Sequence, residues 1–369
     1  MTHYTNLNMD LREYSKNSRE YETSLSDIMK KNGGVYYTDI DLCLRIIKFL
    51  KIPVNASIFD PCCGTGNFIV SAKHLGCYNL YGSDIDNCAV DFCKDNTGLH
   101  NIHVIDSISN NGDFVLHSIG LNEKVDFVIG NPPYVPIGKD ATLNTQDSLF
   151  LRKVKDSGNN LFVAAMYRGF ELVKDDGVIS YVIPKNFLHV SSYSRLRKFI
   201  LKEKRIKSII DLGACFKNVR GEQIVLTISN EYTPDNTIEF FSYHNGNFIK
   251  GTSVSQRFYT DDILIFENQY DIDIYGKFKS SYKTLGDIHT GYVGRGKSKS
   301  PNAVIGKDIR KFAFKEIPVP RSGNRIFIQN IYSAESGIIA SFGGHMDASE
   351  TVTVFLDDDE NMCRYVLGL

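Results

Sequence analysis

Apolar positions along the first two thirds of this chain follow two alternating rhythms. Short apolar runs, among them Ala56-Ser57-Ile58-Phe59, Leu80-Tyr81-Gly82-Ser83, His103-Val104-Ile105 and Asp126-Phe127-Val128-Ile129, have the residue types of buried strands. Runs of helical spacing lie between them: Leu42, Ile46, Ile47 and Leu50, then Phe68, Ile69, Ala72 and Leu75, and later Ala164, Met166 and Phe170 after Asn160-Leu161-Phe162. Further strand-like runs follow at 177–183, 209–213 and 224–228. Such alternation predicts an α/β domain. Residues 1–32 are polar with spaced Leu11, Tyr14, Leu25 and Ile28, which predicts an N-terminal helical extension. Gly33-Gly34 ends it, and Thr38 is placed to cap the next helix. Beyond Tyr232-Thr233-Pro234-Asp235-Asn236 the rhythm changes to short alternating strands with frequent turns. This predicts a β-rich second domain, with the division drawn between residues 240 and 241.

The predicted strand ends hold the polar chemistry. One apolar run stops at Asn131, and Pro132 and Pro133 follow before Tyr134. Neither proline can donate to a sheet ladder, and Pro132 keeps Asn131 out of helical geometry, so a stiff turn is expected. The Asn131 side-chain oxygen and the Pro132 carbonyl could accept both N–H groups of a planar amine, with Tyr134 stacked on its ring. A plain turn with a packed tyrosine explains the same residues. After the first strand comes Asp60-Pro61-Cys62-Cys63-Gly64-Thr65-Gly66-Asn67-Phe68. Strand, glycine-rich turn and helix form the first unit of a nucleotide-binding domain. A carboxylate at Asp60 would repel a pyrophosphate but suit a sulfonium or ammonium group, which favours S-adenosylmethionine over a dinucleotide. Asp84, at the end of the second strand, is the candidate for ribose hydroxyls, with Ile85 against an adenine ring. Asp86 is expected to cap the next helix, and Asp106 could accept a bond from an adenine amine. Taken singly, each acid is more often a loop or cap residue; their recurrence at successive strand ends is what raises the functional reading.

Composition narrows the partners. With 42 Lys and Arg against 43 Asp and Glu, bulk charge predicts no polyanion, so any such site must come from local clustering. Basic residues do cluster, at Arg195, Arg197, Lys198, Lys202, Lys204, Arg205 and Lys207, and again between Lys277 and Arg325. The latter is a reasonable footprint for duplex DNA. The segment Val135 to Asn159 reads as a mobile loop beside it. Eight cysteines are scattered without CxxC pairs, which predicts reduced thiols and neither a disulfide framework nor a metal site. No signal sequence and no apolar run of about 18 residues is visible, so a cytoplasmic protein without membrane association is expected.

The ordered signatures Tyr36-Tyr37-Thr38, Asp60 to Phe68, Asp84-Ile85-Asp86, Asp106 and Asn131-Pro132-Pro133-Tyr134 give a specific resemblance. The chain resembles the gamma class of DNA adenine-N6 methyltransferases of type II restriction–modification systems, well over residues 33 to 230 and loosely beyond. The resemblance implies a Rossmann-like class I methyltransferase mixed sheet with helices on both faces and a C-terminal β-rich (α+β) target-recognition domain, cut short where the chain stops at Leu369. It implies cofactor contacts at Thr38, Asp60, Cys62, Gly64, Asp84, Ile85, Asp106 and Pro133. Base contacts are implied at Asn131, Pro132 and Tyr134, with Phe216 as a second aromatic wall for a flipped-out adenine. Cys62 stands where a small residue is usual. The implied partners are double-stranded DNA and a cognate restriction endonuclease, and a monomer is expected. N-methylation of RNA adenine or protein glutamine, or a truncated DNA-binding relic without activity, are the alternatives.

Overall fold

The computed structural model describes residues 10–25, 38–138, 142–215, 221–233 and 235–281, and only short strands thereafter. Two compact units result, Met1–Gln269 and Tyr270–Leu369.

The first unit is built on one nine-stranded sheet. Its strands are β1 (Ile58–Asp60), β2 (Leu80–Asp84), β3 (Ile102–Val104), β4 (Val125–Gly130), β5 (Val173–Pro184), β6 (Arg205–Gly213), β7 (Gln223–Ser229), β8 (Thr237–His244) and β9 (Asn247–Ser255), in the order β3-β2-β1-β4-β5-β7-β6-β8-β9. The first five strands pair in parallel, whereas β7 runs antiparallel between β5 and β6. Chain order reverses between β1 and β4. In an open α/β sheet this switch point leaves a crevice at the carboxyl ends of the strands. Ile58, Phe59, Val128 and Ile129 are fully buried, as continuous apolar strands covered on both faces should be.

Helices α1 (Leu11–Ser24), α2 (Ile40–Leu50), α3 (Asn67–His74), α4 (Asn87–Thr97) and α5 (Gly112–Ser118) precede β5 together with α6 (Ser148–Lys155) and α7 (Leu161–Leu172). Helix α8 (Ser194–Glu203) leads into β6, and α9 (Gln269–Ser281) follows the sheet. The buried face of α2 is Ile40, Leu42, Cys43, Ile46 and Ile47. Its cap is Asp39, which accepts a bond from the Asp41 amide at 2.9 Å, and not Thr38 as expected. Asp is the better capping residue of two adjacent candidates, and its choice leaves the buried Thr38 hydroxyl without a partner among the described residues.

Other expectations change with the tertiary context. The stretch Val135–Asn159 is not simply a loop. It carries α6, buries Phe150 and Val154, and is closed at its base by Ile137 N–H donating to Asn159 O at 2.8 Å and Leu161 N–H to Val135 O at 2.9 Å. The basic stretch after Arg195 is not one helical face, since Arg205 and Lys207 belong to β6. Arg197 is fully buried and donates to Asp261 at 2.9 Å, to Asp262 at 2.8 Å and to the Phe187 and Val190 carbonyls at 2.9 and 2.6 Å. The alternating strands after residue 235 extend the large sheet, because β8 pairs in parallel with β6 and antiparallel with β9. A division at residue 240 would cut β8.

In the second unit a four-stranded antiparallel sheet places Tyr292–Val293, Val352–Leu356, Arg325–Gln329 and Ala340–Gly343 side by side. Ile326 and Val354 are buried in it. Most of the basic residues between Lys277 and Arg325 lie outside the described residues, as do Tyr36 and Tyr37.

Candidate active site

The crevice at the switch point gathers most of the sequence-derived candidates. Asp60 ends β1 and is 1% exposed, yet among the described residues its carboxyl accepts from a single neutral donor, the Cys62 amide at 3.1 Å. Burial pushes its carboxyl up to about 8, against the Cys62 bond and with some help from the Asp84 charge. A buried acid held by so little suits a cationic ligand. The neighbouring strand end explains why it fits. Gly130 ends β4 with φ +152°, and a Cβ built there would lie 2.5 Å from Asp60 Oδ1. Only glycine lets the acid and the following turn approach so closely.

Asp84 ties the glycine-rich turn in place. It accepts from the Gly64 amide at 2.7 Å and from the Asp86 amide at 2.9 Å, and burial raises its pKa. Gly66 turns with φ +90° into α3, and a Cβ there would lie 2.4 Å from Cys93 Sγ. Cys62 is half-buried in the same turn. Ile85 is 73% exposed, an apolar side chain left in solvent at a polar strand end. Asp86 caps α4 as expected, accepting from the Cys88 and Ala89 amides at 3.0 and 3.3 Å. Asp106 is held by the Ile108 and Ser109 amides at 3.2 and 2.9 Å. Thr38 joins this set through its carbonyl, which accepts from Asn67 Nδ2 at 2.8 Å.

The turn after β4 is anchored from β5. The Tyr134 hydroxyl lies between two acceptors, the Asn131 side-chain oxygen and the Val182 carbonyl, the latter at 2.9 Å. It has one proton to share between them, and burial raises its pKa well above the ordinary value, so it stays a neutral phenol. Its ring meets Phe162 edge-on at 6.4 Å. Phe162 is held in turn by Asn160, which caps α7 with a bond from the Phe162 amide at 3.2 Å. Pro132 is buried, while Asn131, Pro133 and Tyr134 are half-buried. Phe216, the expected second wall, lies outside the described residues.

Three residues that sequence reading missed touch this set from α1: Tyr14, Ser18 and Tyr21. The available signal was their spacing, which places all three on one helical face. The buried Tyr181 hydroxyl on β5, without a partner among the described residues, was likewise not anticipated.

A cation-seeking buried acid, further acids at two neighbouring strand ends, an exposed isoleucine between them and an orphaned threonine hydroxyl fit a ligand with a positive charge, ribose hydroxyls and an adenine. The strand order and the helices around the sheet are those of the class I methyltransferase fold. The chain belongs to the N-6 DNA Methylase family, whose model matches residues 17–284. It is similar to the type II methyltransferase M.VspI of Vibrio sp. (strain 343), 31% identical over 205 residues that cover 54% of this chain and 48% of that one. It is also similar to the modification methylase CviBIII of Paramecium bursaria Chlorella virus NC1A, 26% identical over 300 residues covering 77% and 74% of the two chains. The chain thus spans about half the length of the first of these relatives. Among solved structures, a Listeria monocytogenes protein assigned to the class I S-adenosylmethionine-dependent methyltransferases aligns with a TM-score of 0.50 at 17% identity, over 65% of this chain and 75% of that one.

Proposed function

We propose that this chain methylates N6 of adenine in double-stranded DNA, with S-adenosylmethionine as methyl donor. The observation that carries the reading is the contact between two strand ends. Asp60 lies so close to Gly130 that a cation held by the acid and an amine held at Asn131 become neighbours. Thr38, Asp60, Cys62, Gly64, Asp84, Ile85, Asp106 and Pro133 would hold the cofactor. When bound, S-adenosylmethionine supplies an electrophilic methyl group.

The chain's own residues do the rest by placement. The target adenine leaves the stack, at a cost of a few kcal/mol. Asn131 Oδ1 and the Pro132 carbonyl accept the two N–H groups of its amine. Tyr134 keeps the Asn131 oxygen oriented while leaving it a second lone pair, and with Phe216 it walls the base. Orientation and fixed dipoles supply the catalysis, so no general base of shifted pKa is needed. The catalytic work belongs to the first unit and duplex recognition to the second. A cytoplasmic modification enzyme with a cognate restriction endonuclease completes the proposal.

The reading is tested by incubating the protein with methyl-labelled S-adenosylmethionine and, separately, unmethylated duplex DNA, RNA and protein. Label is expected in DNA alone. Label confined to RNA or protein would replace DNA as substrate, and cofactor binding without label anywhere would leave an inactive relic.

A further inference from the structure

Helix α1 lies outside the motifs that the proposed chemistry uses, yet its buried face is directed at them. Tyr14, Ser15 and Ser18 are 3%, 9% and 1% exposed. The Tyr14 hydroxyl donates to the Thr65 carbonyl inside the glycine-rich turn. Ser18 Oγ lies 2.7 Å from Thr65 Oγ1 and donates to Asn67 Oδ1 at 3.1 Å. One step further, Asn67 Nδ2 donates to the Thr38 carbonyl at 2.8 Å. A turn later on the same helix, the Tyr21 hydroxyl donates to Asp86 Oδ2 at 2.8 Å, two residues past Asp84. Phe92 of α4 packs between the two tyrosines, with ring centroids 5.6 Å from Tyr14 and 5.8 Å from Tyr21. A single helix face therefore holds the glycine-rich turn, the loop after β2 and, through Asn67, the Thr38 segment.

We propose that α1 is a clamp on the cofactor-binding loops, with Tyr14, Ser18 and Tyr21 as positioning residues that hold those loops in the form that binds S-adenosylmethionine. The physical basis is pre-organisation. A loop already fixed before the ligand arrives does not charge its ordering entropy against binding. The Tyr14 and Ser18 bonds are buried and the Tyr21 bond half-buried, so losing one leaves a partner unsatisfied and lets the loops sample other conformations. The other side of α1, with Lys16 75% exposed and 3.8 Å from Glu20, takes no part. The inference rests on the cofactor assignment of the preceding subsection.

The test uses the full chain and two readouts that need no turnover. Calorimetric titration gives the affinity for S-adenosylmethionine, and hydrogen exchange of the cofactor-free protein follows the amides of residues 63–67. For Ser18→Ala, which removes two bonds, the dissociation constant is expected to rise about tenfold, with faster exchange across the turn. Tyr21→Phe should give a smaller, several-fold rise, and Lys16→Ala should match the wild type in both readouts. Should Ser18→Ala fail to fold, Tyr21→Phe decides, since it removes one hydroxyl from a part-exposed ring. Wild-type affinity in both Ser18→Ala and Tyr21→Phe would overturn the clamp. A wild-type protein that binds no S-adenosylmethionine would overturn the cofactor assignment instead. In that event unchanged exchange in the variants overturns the clamp, and faster exchange supports it.

Discussion

At the scale of residues, Asp60 is the most informative side chain. Its carboxyl is raised to about 8 by burial, from an ordinary value near 4. Between those limits the folded chain keeps a proton that the unfolded chain has lost. Stability attributable to this group therefore falls as pH rises through the window, by at most about 1.4 kcal/mol per pH unit. A cation bound beside Asp60 favours the ionised form, so cofactor binding below about pH 8 should release a proton. Affinity should then strengthen as pH rises from 6 towards 8. Calorimetry in buffers of different ionisation enthalpy measures the proton count; release near one proton at pH 6.5 in the wild type, and none in Asp60→Asn, is the expected result. The acids were legible as residues because each follows an apolar run. Their partners were not. Thr38 and Asp39 are both capping types, and only the competition between them frees the Thr38 hydroxyl.

Elements show where local pattern stops being informative. Strands β1, β2 and β4 and helices α2 and α3 could be read from periodicity because their apolar residues fall where the fold buries them. Helix α6 could not. Leu149 and Leu151 are exposed at 77% and 36%, so its apolar residues do not all face inward and the segment reads as a loop. The hairpin of β8 and β9 alternates as a separate β domain would, and nothing local tells it to pair with β6 across the sheet. At the junction of β1 and β4, Gly130 and Asp60 meet too closely for a side chain between them. Gly130→Ala forces a Cβ against Asp60 at a left-handed φ, which should cost about 1–3 kcal/mol of stability. Thermal unfolding reads that loss, and cofactor affinity should fall with it, because Asp60 must move. A variant as stable and as tight-binding as the wild type would refute the close approach.

For the whole molecule, the sheet order places five parallel strands so that the crevice proposed for the cofactor and the turn proposed for the amine share one edge. The near-zero net charge carries no information about DNA; that has to come from local arrangement and from the family. The basic stretch from Arg195 illustrates the difference, since Arg197 is committed to Asp261 and Asp262 within the fold and Lys198 lies 3.5 Å from Asp261. The Asn131 turn is proposed to present an adenine amine for methylation. The most direct measurement digests unmethylated duplex DNA after incubation with protein and S-adenosylmethionine, and quantifies N6-methyladenine by mass spectrometry. Wild-type protein should produce it. Asn131→Ala should lower the rate by at least about a hundredfold, since it removes a preorganised polar contact to the reacting amine, while cofactor affinity stays within about twofold. Equal methylation by the variant, or methylation at another base position by the wild type, would contradict the account.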